Sequence, residues 1–240
     1  MAQSQISIFN PENNMYKKTA VVAGGAGGVG EGIVRALLQA DYRVVVPART
    51  EHKIVQLREY TADISTGELI TFLGSVNNEE NAEKLKVFLH NEVKYIDLAV
   101  ASLGGWHQGF PIYSYPLSDW NRILNDNLTS HFLAIKTLVP LLNPREGFYV
   151  HINGFSADEQ YPMAGPVSMT AAAQKSLIQT LAKELERTGI QVHELLLGPM
   201  KTRDRLKHGL GQPDWYLPEE IGQLIIDLVN KPSHEKMLHY

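Results

Sequence analysis

Eight residues near the start of the chain, Ala23-Gly24-Gly25-Ala26-Gly27-Gly28-Val29-Gly30, hold five glycines between an apolar run and an amphipathic one. A turn of this kind lets backbone come within contact distance of a phosphate, and a helix that starts in it presents unpaired N–H groups and the positive end of its dipole. The chemistry it suits is the cradling of an anion, a pyrophosphate above all. Its flanks agree, since Thr19-Ala20-Val21-Val22 reads as a short buried strand and Val29, Ile33, Ala36 and Leu37 recur at helical spacing. No spaced set of metal ligands and no nucleophile elbow competes with this motif, and the chain has no cysteine for a disulfide or a thiolate metal site.

The elements that must position the turn alternate between strand and helix. Strands are expected at Thr19–Val22, Tyr42–Pro47, Glu68–Gly74, Tyr95–Ala101, Gly147–Asn153 and Ile190–Leu196, with a brief extended tail at Lys236–Tyr240. Helices are expected at Val29–Ala40, Glu51–Tyr60, Asn78–Asn91, Ser118–Leu142 with Ser118 as its cap, Val167–Arg187, and a last one opened by Pro218 with Glu219 and Glu220 in its first turn. Gly198–Leu217 reads as a long polar loop. Six or seven strands separated by helical crossovers make a parallel, doubly wound sheet covered by helices on both faces. Ligands in such sheets bind at the carboxyl ends of the strands, so the loops after Val22, Val46, Leu73, Val100, Ile152 and Leu196 should converge on one site.

With 240 residues, 44% hydrophobic and 20% charged, the chain suits one globular domain at 18–240 behind a polar arm at 1–17. A net charge of -4 gives no general attraction to nucleic acid or anionic membranes, and neither an apolar span nor a signal-peptide core is visible, so a cytoplasmic protein is expected. The second strand ends Val46-Pro47-Ala48-Arg49. A carboxylate there would accept hydrogen bonds from a ribose 2′-hydroxyl, whereas an arginine accommodates a 2′-phosphate, so NADP is favoured over NAD. No second basic residue is apparent in the glycine turn.

From about Lys18 to Leu228 the chain resembles the short-chain dehydrogenase/reductase family, which implies a Rossmann-type α/β/α fold with a parallel sheet of seven strands in the order 3-2-1-4-5-6-7. The glycine motif differs from the family's only at Ala23; Asn127, within Trp120-Asn121-Arg122-Ile123-Leu124-Asn125-Asp126-Asn127-Leu128, matches its helix asparagine; and Leu197-Gly198-Pro199-Met200-Lys201-Thr202 matches its Pro-Gly segment with the proline lost. The resemblance implies a dinucleotide held by Gly24, Gly28, Val29 and Gly30 at the turn, by Arg49, Ser75 and Val76 beyond the second and third strands, and by Ala101, Gly104, Leu197, Gly198 and Thr202. Helices Ser118–Leu142 and Val167–Arg187 resemble the family's subunit contacts, which implies a homodimer or homotetramer.

The departures bear on activity. The family's Asn-Asn-Ala-Gly is Ala101-Ser102-Leu103-Gly104 here, and the aspartate after the third strand is Ser75. Aligned on Leu181-Ala182-Lys183-Glu184, the catalytic Tyr-x-x-x-Lys falls on Val167 and Ala171, and the serine thirteen residues earlier falls on Gly154. In the family the tyrosine moves a proton to or from the substrate oxygen and the lysine lowers its pKa and holds the ribose. Of these catalytic side chains Asn127 alone remains, with a structural part open to it. Substitutes to be weighed are Lys175, one helical turn past Ala171, Tyr161 and Ser156 in the preceding loop, and His107 beside Trp106. Three readings follow: an NADP-dependent oxidoreductase with a reorganised proton donor, a catalytically silent NADP-binding sensor or subunit, and a non-redox isomerase or lyase using the same pocket.

Overall fold

The structure, a computed structural model, describes residues 17–240; the expected arm at 1–17 lies outside the described residues save for Lys17. Its centre is a seven-stranded sheet in the order β3-β2-β1-β4-β5-β6-β7, every pairing parallel. The strands are β1 (Thr19–Ala23), β2 (Arg43–Ala48), β3 (Glu68–Leu73), β4 (Leu98–Ala101), β5 (Phe148–Gly154), β6 (Gln191–Leu197) and β7 (Met237–His239). Between them run α1 (Gly30–Gln39), α2 (Glu51–Tyr60), α3 (Glu79–Glu92), α4 (Leu117–Leu124), α5 (Ser130–Leu138), α6 (Gly165–Glu184), α7 (Arg203–Lys207) and α8 (Pro218–Asn230).

Alternation of side chains along each strand divides the core in two. Val22, Val44, Val46 and Val150 pack with Ile33 and Leu37 of α1 and Ile221 and Ile225 of α8 on one face. On the other, Val21, Val45 and Tyr149 pack with Leu85 and Leu89 of α3, Leu133 and Leu138 of α5, and Ile178 and Leu181 of α6. Because the sheet is covered on both sides, its central strands read as continuous apolar runs. Each fully buried aliphatic side chain here contributes about 1.5–3 kcal/mol of transfer free energy. Thr50 caps α2 and Asn78 caps α3 by accepting from the amides of Lys53 and Asn81, and Pro218 opens α8 as its sequence suggests.

Several boundaries differ from the sequence reading. The expected helix from Ser118 to Leu142 starts at Leu117, with Pro116 in the capping position rather than Ser118, and is interrupted by one π turn at Asn125–Thr129 before α5. A short 3-10 turn at Val139–Leu141 ends it. The fourth strand starts only at Leu98, because Ile96 makes no more than an isolated bridge to Leu142. The segment after β6 is not wholly a loop: Thr202 caps α7 by accepting from the Arg205 amide at 3.4 Å, and the Lys201 amide donates to the Tyr216 carbonyl at 2.9 Å, closing the neck of a compact excursion.

Candidate active site

The loops after all six of the first strands do converge. Two adjoining cavities of about 480 and 360 Å3 lie at the carboxyl end of the sheet, sharing Gly27, Ser102 to Trp106 and Asn127 as a common wall. The larger is lined by Gly28 and Val29, by Asn153 to Ser156 beyond β5, by Val167, Ala171 and Gln174 of α6, and by Leu197 to Met200, Thr202 and Arg205. The smaller takes Gly24, Pro47, Ala48, Arg49, Lys53, Ser75 and Val76.

The turn between β1 and α1 is built from backbone alone. The amides of Gly25 and Gly27 donate to Val22 and Gly24 carbonyls at 3.0 and 2.9 Å, and no side chain caps α1. Gly24 has a φ of +86°, and a Cβ there would lie 1.9 Å from the Ser102 carbonyl oxygen, so any other residue would push the β1 and β4 loops apart. What results is an uncapped helix start beside Gly27, Gly28 and Val29 in the cavity wall, the donor arrangement that suits an anion. Glu31, which would oppose an anion, is neutralised by Arg203 through two hydrogen bonds of 3.1 and 2.6 Å; burial nevertheless holds its carboxyl above the ordinary range.

Behind the larger cavity lies a layer of buried polar side chains. The Asn127 carboxamide accepts from the Gly105 amide at 3.0 Å and donates to the Gly105 carbonyl at 2.9 Å, which fixes the loop at Gly104, itself at φ +84°. Gln174 donates to the Asn127 carbonyl and pairs with His151 Nε2 at 3.0 Å; the His151 ring meets that of His131 at 4.4 Å, and His131 Nε2 faces the Leu103 carbonyl at 3.3 Å. Since Nε2 of His131 must donate to a carbonyl, that ring carries its proton on Nε2 when neutral. Asn153 donates to the Ala171 carbonyl at 2.9 Å and to Glu194 at 2.8 Å. Burial pushes the Glu194 carboxyl up, drops His131 to about 4 and holds His151 well below its usual value.

Residues 18–209 match the model of the short chain dehydrogenase family. The chain belongs to that family. It is 30% identical over 248 aligned residues to the Pseudomonas aeruginosa rhamnolipids biosynthesis 3-oxoacyl-[acyl-carrier-protein] reductase, covering 92% of this chain and 92% of that protein. With an uncharacterized oxidoreductase of Staphylococcus aureus it shares 24% identity, over 90% of this chain and 93% of the relative. Among solved structures, the Pseudomonas aeruginosa RhlG/NADP active-site complex superposes with a TM-score of 0.80 at 24% identity, covering 92% of this chain and 94% of that one. ElxO with NADP bound gives 0.81 at 18%, over 93% and 96%. A 3-oxoacyl-[acyl-carrier protein] reductase with bound NAD from Brucella melitensis gives 0.79 at 17%, over 98% and 96%. These likenesses confirm the fold.

In this short-chain dehydrogenase the expected dinucleotide residues divide. Gly24, Arg49, Ser75 and Val76 line the smaller cavity, Gly28, Val29, Leu197, Gly198 and Thr202 the larger, and Gly104 both. Gly30 and Ala101 line neither; both are buried, Gly30 against the Gly24 carbonyl and Ala101 in the core. Val167, Ala171, Gly154 and Asn127 share the larger cavity. Of the four substitutes, Ser156 and Tyr161 line that cavity, His107 lines the other with its Nδ1 2.6 Å from the Tyr115 hydroxyl, and Lys175 lines neither because it pairs with Asp158. A hydrogen bond to Glu159, reinforced by burial, raises the Tyr161 phenol pKa. Sequence reasoning missed Lys53, which lines the smaller cavity from the first turn of α2; a second basic residue shortly after the end of β2 was the available signal. Among the described residues no helix is long and apolar enough to cross a membrane, and no group of three or more acidic or histidine side chains could hold a metal.

The histidine layer makes stability depend on pH with a definite sign. His131 has a folded pKa near 4 against an unfolded value of about 6.5, so below pH 6.5 the unfolded chain takes up the proton first and the fold loses stability down to about pH 4. His151 acts in the same sense, while Glu31 and Glu194, held above the ordinary carboxylate range, oppose it where carboxylates titrate. The single His131 contribution at pH 5 is on the order of 2 kcal/mol. Urea midpoints should therefore fall between pH 7 and pH 5, with a shallower fall in His131→Phe; an identical fall in the variant would exclude this residue as a source.

Proposed function

We propose that this chain binds NADP(H) in preference to NAD(H) and works as an oxidoreductase of the short-chain type with a reorganised proton-donating site. The observation that carries the cofactor half is that Arg49 and Lys53 both line the cavity onto which the glycine turn opens. These two cations suit a ribose 2′-phosphate; of the other charged side chains in that wall, Arg122 is paired with Asp119 at 3.2 Å, and Asp126 is the one carboxylate. The dinucleotide fits: its pyrophosphate would meet the uncapped start of α1, and the two adjoining cavities give its adenine and nicotinamide ends separate places. When bound, it supplies or accepts hydride; the protein must hold the substrate oxygen and provide a proton. Of the solved structures compared above, RhlG and ElxO hold NADP, which supports the preference, and the Brucella melitensis reductase holds NAD.

The reorganised half rests on the alignment that puts Val167, Ala171 and Gly154 where the family has its tyrosine, lysine and serine, and their joint presence in one cavity supports it. Valine and alanine can neither donate nor accept a proton. Four hydroxyl side chains line the wall, those of Ser102, Ser156, Tyr161 and Thr202, and of these Ser156 lies close to Gly154, its Oγ 3.5 Å from where a Cβ would sit. Tyr161, with its pKa raised, is a poor acid at neutral pH. Asn127 serves as a positioning residue, its side chain committed to Gly105 and its carbonyl to Gln174. A silent NADP-binding sensor is the second reading, favoured by the scarcity of groups in this wall that titrate near neutrality. We also propose a homo-oligomer formed through α4, α5 and α6, where Leu117 and Phe132 are exposed.

Fluorescence titration should show NADPH binding about tenfold or more tightly than NADH, with Arg49→Ala removing most of the difference and Lys53→Ala part of it; equal wild-type affinities refute the preference. Reduction of simple ketones should run about 10²–10⁴-fold below that of a site with a tuned donor, and Val167→Tyr with Ala171→Lys should raise it. Ordinary wild-type rates combined with a large loss in Ser156→Ala or Tyr161→Phe would identify the donor instead. Sedimentation at micromolar concentration should show a dimer or tetramer; monomer alone excludes the assembly.

A further inference from the structure

Twenty-four residues line the larger cavity, and Arg205 is the one among them that carries a formal charge. No carboxylate offsets it, either in the wall or by pairing with it among the described residues. Of the neighbouring cations of the same excursion, Arg203 is committed to Glu31 and Lys201 to the Pro213 carbonyl at 3.2 Å, and Lys207 does not line the cavity. The guanidinium of Arg205 is held from two sides. One nitrogen donates to the Met200 carbonyl at 3.1 Å, and the group lies 5.4 Å from the centre of the Trp215 ring. A guanidinium has five N–H donors in a planar fork, so the single protein hydrogen bond leaves a face able to grip a carboxylate with two.

We propose that Arg205 is the anion clamp of the substrate site and that the substrate is a carbonyl compound bearing a carboxylate on an apolar or aromatic body. The rest of the wall matches that body, since Trp106, Phe155, Tyr161, Val167 and Met200 contribute rings and aliphatic surface. Trp106 and Tyr161 meet edge to face at 5.2 Å, which gives this side a preformed aromatic corner. A cation fixed by stacking and a backbone bond loses little freedom on binding an anion, and it discriminates against a neutral isostere that leaves its donors unpaired. This inference deepens the oxidoreductase reading and rests on it for the carbonyl; the anion requirement stands on Arg205 alone. The same donors would also suit the pyrophosphate of the dinucleotide, and the experiment separates the two.

The probes are phenylpyruvate with its methyl ester and 4-oxopentanoate with its methyl ester, each pair differing in the charge. They are titrated calorimetrically into the full chain alone and saturated with NADP+, alongside NADPH itself. In the wild type at least one acid should bind about tenfold or more tightly than its ester. Arg205→Gln should abolish that preference, and Arg205→Lys, which keeps the charge, should retain part of it. NADPH affinity should stay within about twofold in both variants, and thermal melting should confirm that both fold. Equal binding of acid and ester, no binding of either acid at millimolar concentration, or a preference that survives in Arg205→Gln overturns the proposal. A loss of NADPH affinity of about tenfold in Arg205→Gln assigns the guanidinium to the cofactor and overturns it as well. Should the wild type bind no NADPH, the oxidoreductase reading fails, while the contrast between acid and ester on the chain alone still decides Arg205.

Discussion

The contact between Gly24 and the Ser102 carbonyl sets the geometry on which the rest of the site depends. It is an approach that a single methyl group would forbid, and it draws the end of β1 against the loop that leaves β4. The Ser102 amide donates to the Ala23 carbonyl at 2.8 Å, so the two loops are joined by a bond as well as by proximity. From this junction α1 departs on one side and the Gly104–Gly105 segment on the other, and both cavities open along the line between them. Backbone provides the junction, and side chains enter only around it.

Beneath that backbone frame the protein spends polar side chains where a sheet-helix interface usually holds aliphatic ones. His131, His151, Gln174, Asn153 and Glu194 come from α5, β5, α6 and β6 and are buried against the middle of α6 at Ala171 and Gln174. Each buried polar atom costs free energy unless it is paired, and the chain from Leu103 through the two histidines to Gln174 and Asn127 meets most of that requirement. Nδ1 of both histidines and one oxygen of Glu194 remain without a hydrogen bond among the described residues. The interaction therefore holds the cavity floor in one arrangement at neutral pH more than it adds net stability.

The sheet was legible because its information is local. Val44-Val45-Val46 and Ala20-Val21-Val22 announce buried strands by composition, and the glycine cluster announces the turn by spacing, so the doubly wound parallel sheet and the convergence of loops followed from general rules, while the strand order came from the family resemblance. Where the reading slipped, the deciding contact was distant or the local pattern was silent. The apolar spacing of residues 118–142 runs through the π turn at Asn125–Thr129 without a mark, and Ser118 looked like a cap although Pro116 precedes it by two residues. The short α7 lies in a polar stretch with no apolar period to betray it. The buried polar layer could not be read at all, because four separate elements supply it and only the topology brings them together. Gly30 and Ala101 were marked by their place in a motif, and both are tightly packed, Gly30 against the Gly24 backbone and Ala101 in the core.

The excursion that carries Arg205 leaves and rejoins the body of the protein through one narrow neck, the backbone bond from Lys201 to Tyr216. The chain distal to that neck, α7 and Trp215 included, also touches the body where Arg203 reaches Glu31 and the Tyr60 ring and where Arg205 donates to the Met200 carbonyl. An insertion or exchange beyond the neck leaves the strand ends where they are, because loop closure charges only weakly for added length. A change within α7 therefore alters the wall of the larger cavity at Arg205 while the sheet and its glycine junction, built from other elements, keep their own contacts.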